Sequence, residues 1–153
     1  MTQEEKQLLL WDLCSRLPYG VYVRINEIHC LDKNEAITEG FIGGYCKPNM
    51  CQDYSLDEIY EFLDEDDDVK LYLRPMSSMT EEEKKEYESF FSIGEYSCGG
   101  SLYGKEYEYI ADSPDDISQS ICLFDWLLAH HFDYRGMIQM GLALEAREGM
   151  YKM

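Results

Sequence analysis

The chain has 153 residues, which suits one domain with a core of its own. It is longer than the small folds that depend on disulfides or metals for stability. Apolar residues make up 45% and aromatic residues 14% of the chain, a composition that excludes a disordered acidic tail. The 31 Asp and Glu residues outnumber the 13 Lys and Arg residues, and the net charge of −18 repels phosphate backbones and anionic membranes. We therefore expect a folded acidic protein that binds neither nucleic acid nor membrane.

The N-terminal residues and the cysteines bear on the compartment. The opening residues are acidic where a secretory signal carries positive charge, and every apolar stretch is far shorter than the roughly 18 residues that span a bilayer. These features predict a soluble, cytoplasmic protein whose cysteines are free thiols, with Cys14 and Cys122 as small hydrophobic residues of helices. Cys46 and Cys51 lack the spacing of common zinc sites, so we expect no metal.

The first half of the chain predicts two helices and three strands. Thr2 and Glu5 form a capping box that starts a helix over about 3–16. Alternating apolar residues predict strands near 20–28 and 69–74, and a second strand near 36–46 is interrupted by glycines, which favours a bent sheet. A second capping box begins at Ser55 and starts a short helix.

The second half predicts further helices and one more strand. Thr80 opens a helix, and a glycine-rich stretch over 94–104 leads into a strand near 102–110. Ser113 and the proline after it start a helix over 115–131 that is apolar nearly all round, which predicts the central core helix. Asp133 is expected to cap a last short helix that ends at Gly141.

Together these elements predict one α+β domain over 1–153. Its small, bent, mostly antiparallel sheet has about four strands and is covered by about four to five helices.

Three stretches resemble a group of small, functionally unassigned acidic proteins from phages, prophages and mobile elements of Bacteroides-type gut bacteria. The first stretch begins Asp125-Trp126-Leu127-Leu128-Ala129-His130-His131-Phe132-Asp133, runs to Gly136 and continues over 141–146. The others are the stretch from Leu73 to Glu83 and the opening Leu13-Cys14-Ser15-Arg16-Leu17-Pro18, continued through 19–21. The resemblance assigns no activity and no functional residue. It implies a phage or prophage setting inside a bacterial host cell, in which small accessory proteins act against host immunity.

The sequence shows no catalytic signature. The nucleophile elbow, the zinc-protease helix and both glycine-rich phosphate loops are absent. His130 and His131 beside Asp133 are compatible with acid–base chemistry, but a histidine pair interacting with a helix dipole is the favoured interpretation. We therefore expect a binding protein without a cofactor, and an enzyme that uses His or Cys stays open as an alternative.

The leading functional hypothesis is a counter-defence protein that sequesters a nucleotide-type immune signal of the host. Tyrosines supply stacking faces and cations supply phosphate partners, although tyrosines that simply cover a sheet explain the same pattern. The candidate ligand-binding residues are Arg24, Tyr72, Arg74, Tyr103, Lys105, Tyr107 and Tyr109, with Tyr96 as a further stacking face.

The alternative hypothesis is an acidic inhibitor or nucleic-acid mimic that captures a basic host protein. Eight carboxylates lie between residues 57 and 68, at a density comparable to the phosphates of DNA, although acidic residues also serve solubility. This candidate partner surface comprises Asp57, Glu58, Glu61, Asp64, Glu65, Asp66, Asp67 and Asp68. A homo-oligomer is compatible with either hypothesis.

Overall fold

The computed structural model describes residues 1–44, 52–90 and 115–151, without the side chains of 115–119. The chain divides into two compact units. Met1–Pro75 and His131–Met153 form the first, here called the sheet unit, and Met76–His130 form the second, called the helical unit. The expectation of one domain over 1–153 stays a prediction, and each unit is described by itself.

Two helices of the sheet unit begin at the predicted caps. In α1 (Gln3–Arg16) the Thr2 hydroxyl accepts from the Glu5 amide at 3.1 Å, and the Glu5 carboxylate accepts from the Thr2 amide at 2.7 Å. The same reciprocal pair joins Ser55 and Glu58 at the start of α2 (Leu56–Asp64), with distances of 3.2 and 2.6 Å. Each box satisfies amides that have no partner within the helix, which explains why local sequence fixes both starts.

The sheet has the strand order β2-β1-β3-β4. Its strands are β1 (Val21–Asn26), β2 (Ile37–Ile42), β3 (Asp68–Leu73) and β4 (Ala143–Glu145). β1 pairs antiparallel with β2 and β3, and β4 pairs parallel with β3. The prediction of an α+β fold with a mostly antiparallel sheet is confirmed. Its predicted fourth strand, near 102–110, lies outside the described residues, and β4 was not predicted.

One face of this sheet carries the core of the sheet unit. Val21, Val23 and Ile25 alternate with polar residues along β1, and the register aligns Val23 with Leu71 of β3. The helices α1 and α2 supply the opposing apolar side chains, as amphipathic helices do on a half-buried sheet. The fully buried members of this cluster include Leu9, Leu13, Val21, Val23, Ile25, Ile42, Ile59, Val69, Leu71 and Leu73.

The packing around β2 leaves no room for a side chain at Gly40. A Cβ atom on this residue would lie 2.5 Å from the Tyr54 ring and 2.8 Å from the Asp53 Cβ atom. The close approach brings the 52–54 segment onto β2, where the Asp53 amide donates to the Phe41 carbonyl at 2.7 Å. Gly40 therefore permits a neighbouring segment to cover one end of the strand.

The prediction of a last short helix after Asp133 is wrong. Residues 137–141 form turns, and the Asp133 carboxylate accepts from the amides of Met137 at 2.8 Å and Ile138 at 2.9 Å. A helix cap binds amides two or three residues on, whereas these lie four and five residues on. Gly136, with φ of +73°, turns the backbone into the left-handed region and prevents a helical continuation.

The helical unit contains α3 (Glu81–Ser89) and α4 (Asp115–Ala129), with a short 3₁₀ helix at Met76–Ser78. Thr80 caps α3 as predicted. In α4, Cys122 is buried against Phe90, but Ile121 and Phe124 are 46% and 48% exposed. Leu127 and Leu128 are also buried, so the helix is buried on part of its surface only, and its role as the central core helix stays a prediction. An apolar residue on a helix is not always interior, because much protein surface is apolar.

Candidate functional site

The outer face of the sheet, opposite the core, carries an open cleft of about 460 Å³. Its walls are Tyr22 of β1, Glu39 and Gly40 of β2, Asp53 before α2, and residues 147–150 after β4. The antiparallel register places Tyr22 opposite Phe41 and Arg24 opposite Glu39, so these side chains share the outer face. The cleft therefore combines one aromatic ring with acidic and basic side chains.

A charged triad lies at one side of this cleft. Arg147 makes two bonds to Glu39, from Nη2 at 2.8 Å and from Nη1 at 3.1 Å, and the Tyr72 hydroxyl donates to the same carboxylate. The Arg147 guanidinium also lies 5.1 Å from the centre of the Tyr72 ring. The pKa of Glu39 is lowered to about 2, mainly by the hydrogen bonds from Arg147 and Tyr72, with a smaller contribution from the charge of Arg24.

The balance of charge in the cleft is negative. Glu39, Asp53 and Glu148 supply three carboxylates, while Arg147 is the one cation among the lining residues that the structure describes. Asp53 uses one oxygen to accept from the Phe41 amide at 2.7 Å, which leaves the other oxygen available. Arg147 is already paired with Glu39. The uncompensated charge therefore comes from Asp53 and Glu148, and it favours a cationic ligand.

Tyr151 anchors the C-terminal wall of the cleft. Its hydroxyl accepts from the Tyr22 amide at 2.9 Å and donates to the Tyr72 carbonyl at 2.7 Å, so it bridges β1 and β3 beyond their last paired residues. Its ring stacks on buried His131, with centroids 3.7 Å apart and planes 10° apart. Burial raises the pKa of the Tyr151 phenol, so the hydroxyl stays protonated and donates.

The structure brings together only part of the predicted ligand-binding set. Tyr72 belongs to the triad, and Arg24 lies on the same outer face, aligned with Glu39 and Lys70 on its two neighbouring strands. Arg74 lies at the end of β3, with its guanidinium 4.3 Å from the centre of the Phe132 ring. The remaining predicted residues, Tyr96, Tyr103, Lys105, Tyr107 and Tyr109, lie outside the described residues.

Some residues of the predicted acidic surface take part in the fold itself. Asp57, Glu58, Glu61, Asp64, Glu65 and Asp66 are exposed, on α2 and the turn after it. Asp67 is instead 4% exposed and accepts from the Ile28 amide at 2.9 Å, while Asp68 is half-buried and begins β3. Asp66 pairs with Lys6 at 2.5 Å, and that bond lowers the pKa of Asp66. The 64–68 run is therefore an ordered helix end, turn and strand start, and only part of it is available to a partner.

The adjacent residues His130 and His131 have separate surroundings. In the helical unit, the Nδ1 atom of His130 lies 2.8 Å from the Trp126 carbonyl and its ring stacks on the Trp126 ring at 4.3 Å. This placement at the end of α4 agrees with the helix-dipole interpretation. In the sheet unit, His131 has φ of +62° and its carbonyl accepts from the Arg74 amide.

The described cysteines are free thiols, and they divide by exposure. Cys122 is buried as expected, but Cys14 is exposed on α1 and is not a core residue. Cys46 and Cys51 lie outside the described residues. Within the described ranges, no three His, Cys, Asp or Glu side chains come together as ligands for a metal ion.

The sequence interpretation missed Tyr22, Glu39, Asp53 and Arg147 as site residues. Strand alternation around Tyr22 and Arg24 indicated a polar outer face, so the shared face of β1 could have been inferred. Arg147 could not, because it reaches Glu39 across 108 positions of sequence and follows a strand of only three residues.

Comparisons with protein-family models, curated proteins and solved structures gave no match for the chain. No helix among the described residues has both the length and the apolar character that crossing a membrane requires.

Proposed function

We propose that the protein is a non-enzymatic binding protein that holds a basic segment of a partner protein at the outer-face cleft. The observation that carries this proposal is the carboxylate surplus of the cleft, which Asp53, Glu148 and Tyr22 all line. Carboxylates accept hydrogen bonds from Lys and Arg, and an aromatic face attracts the same cations. The cleft thus offers both kinds of contact to one basic side chain.

The net charge of −18 supports the same conclusion at longer range. Exposed ion pairs contribute only about 0.2–1 kcal/mol each, so affinity at this open cleft requires several contacts. A strongly negative surface also accelerates the encounter with a basic partner, and salt weakens that attraction. The proposal therefore predicts a salt-sensitive complex.

Sequestration of a nucleotide-type signal remains a separate prediction with less support from the described geometry. Phosphates would face the carboxylates of Glu39, Asp53 and Glu148, which repel them. The guanidinium of Arg147 is bound to Glu39, and that of Arg74 lies over the Phe132 ring. A thermal shift on addition of nucleotides tests this alternative, because a ligand that binds only the folded state raises the melting temperature.

The resemblance to phage and mobile-element proteins bears on the partner. If the chain works in that setting, the basic partner is a host defence protein, and capture of that protein is the counter-defence activity. An enzyme that uses His or Cys stays an untested alternative.

The experiment measures binding of a fluorescein-labelled oligolysine peptide by anisotropy, with salt raised from about 50 to about 500 mM. The cleft variant is Asp53→Asn/Glu148→Gln, in which the new carboxamide at position 53 keeps an acceptor oxygen for the Phe41 amide. The matched control is Asp57→Asn/Glu61→Gln on α2, which removes the same charge from exposed positions.

The proposal predicts that the cleft variant loses at least about tenfold in affinity, or 1.4 kcal/mol, while the control loses less than about threefold. Equal losses would mean that overall charge alone attracts the peptide. A larger loss in the control would move the site to the acidic helix.

A further inference from the structure

Among the strands that the structure describes, β2 lies at one edge of the sheet, since their order is β2-β1-β3-β4. The 52–54 segment covers only its C-terminal end. There the Phe41 amide donates to Asp53, and the Phe41 carbonyl accepts from the amides of Asp53 at 2.7 Å and Tyr54 at 3.3 Å. The edge before Gly40 has no such cover from the residues that the structure describes.

The hydrogen bonds around β2 fix which of its backbone groups face outward. The Glu27 amide donates to the Ala36 carbonyl at 2.8 Å, just before β2 begins. The backbone groups of even-numbered residues in β2 therefore point toward β1. Phe41, an odd-numbered position, directs its amide and carbonyl away from β1. Because backbone groups alternate along a strand, Ile37 and Glu39 direct theirs to the same open edge.

We infer that this open edge receives an extended basic segment of a partner protein as an added strand, with a Lys or Arg at the position aligned with Glu39 whose side chain reaches Asp53 and Glu148 in the cleft. The inference rests on the proposed function, because the added side chain would enter the same acidic cleft. Strand addition supplies affinity through backbone hydrogen bonds and specificity through alternate side chains. Two edge residues, Ile37 and Glu39, provide two amides and two carbonyls for that ladder.

The side chains on the outer face define the partner segment further. Glu39 lines the cleft, and Ile37, two residues away on the same face, is 53% exposed. Residues two apart in an added strand lie about 6.6–6.8 Å from each other and would align with this pair. The segment therefore carries a basic residue and an apolar residue separated by one position.

Charge argues against a second copy as the occupant. Each chain carries a net charge of −18, so pairing of two β2 edges brings strongly like-charged surfaces together. A basic segment has the complementary charge. Asp53 and Tyr54 also fix where the added strand ends, because they already occupy the Phe41 groups.

The test uses a synthetic peptide of alternating Thr and Val with one Lys and a Val two positions from it. Two further peptides have the same sequence and charge, and each is N-methylated along one of its two edges. N-methylation removes backbone donors and blocks pairing on that edge. Strand addition predicts that methylation of one edge weakens binding at least about tenfold and that methylation of the other edge does not.

The matched protein variants are Ile37→Pro and Ile37→Thr. Proline removes the outward amide at a strand edge, where proline is tolerated, and Thr keeps that amide. We expect Ile37→Pro to bind the parent peptide at least about tenfold more weakly than Ile37→Thr, with circular dichroism confirming that both fold. If Ile37→Pro does not fold, the methylated peptide pair decides alone.

Equal binding by both methylated peptides and the parent would overturn strand addition. If the cleft variant Asp53→Asn/Glu148→Gln still lost affinity in that case, cation binding at the cleft would stand and only the edge model would fall. If the cleft variant also bound the peptide as tightly as the native protein, both the edge model and cation binding at the cleft would be overturned. Concentration-dependent dimerisation in analytical ultracentrifugation that Ile37→Pro abolishes would assign the edge to a second copy and overturn the inference.

Discussion

The Tyr151 hydroxyl accepts a hydrogen bond from the Tyr22 amide at 2.9 Å. The same hydroxyl donates to the Tyr72 carbonyl at 2.7 Å, so one side chain joins β1 and β3 where their own pairing has ended. Tyr151 follows the 147–150 wall of the cleft directly in the chain. The hydroxyl therefore connects the stability of the sheet to the position of one wall of the cleft.

Tyr151→Phe tests that connection. Removal of the hydroxyl leaves a part-buried amide and carbonyl without their partner, which costs about 1–3 kcal/mol in the free energy of unfolding. We also expect weaker oligolysine binding, because the 147–150 wall loses its anchor. Urea unfolding measures the first effect, and Tyr60→Phe, at a position 45% exposed on α2, is the control. Equal stability of the two variants would contradict the structural role of the hydroxyl.

A buried ion pair inside α1 predicts a second large effect. Asp12 and Arg16 are fully buried and paired at 2.7 Å, and Arg16 also donates to the Phe132 carbonyl at 2.9 Å. Asp12→Asn leaves the guanidinium without its counter-charge, so we expect a loss of about 3–5 kcal/mol in the free energy of unfolding.

Two further variants control this prediction. Arg135 also contacts Asp12, at 3.2 Å, but its side chain is 32% exposed, so Arg135→Met should cost less than about 1 kcal/mol. Asp12→Leu/Arg16→Met removes both buried charges and should recover much of the stability that Asp12→Asn loses. An Asp12→Asn protein as stable as Arg135→Met would show that the buried charge does not need its partner.

The low pKa of Glu39 predicts a distinct acid response. Its pKa falls from 4.5 to about 2 in the folded protein, because Arg147 and Tyr72 bind the carboxylate. The unfolded chain therefore binds more protons between these values, and stability rises with pH across that window. The contribution is complete above the unfolded pKa and disappears as pH falls through about 2.

Glu39→Gln isolates this group from the other carboxylates. The stability difference between the native protein and Glu39→Gln should shrink as pH decreases from about 5 to about 2, as urea unfolding at each pH would show. Glu58→Gln, at the exposed third residue of α2, provides a comparison with a carboxylate outside the triad. A difference independent of pH would mean that Arg147 and Tyr72 do not stabilise the charged form.

Local patterns predicted the parts of the fold that local contacts determine. Thr2 and Ser55 begin helices through bonds to residues three positions on, and the alternation in β1 and β3 reflects one buried face. The turns after Asp133 escaped prediction because Gly136 diverts the backbone within an otherwise helical pattern. The short strand β4 escaped because its three residues are strand only through parallel pairing with β3.

In the candidate site, too, local patterns predicted some residues, and contacts between distant segments determined the rest. Tyr72 was selected as a ligand-facing tyrosine, and it does lie on the outer face, where its hydroxyl is bound to Glu39. The acidic character of the cleft depends on β2, the 52–54 segment and the 147–150 turn meeting in space. No spacing rule within the sequence joins these segments, so residue types alone suggested phosphate binding where the geometry favours a cation.

The most direct measurement is an amide NMR titration of the ¹⁵N-labelled protein with the oligolysine peptide. Binding at the cleft predicts that the resonances of Tyr22, Glu39, Gly40, Asp53 and Glu148 shift first and saturate together, and that salt reverses the shifts. Shifts confined to residues 57–66 of α2 and its turn, with the cleft resonances unchanged, would contradict the account.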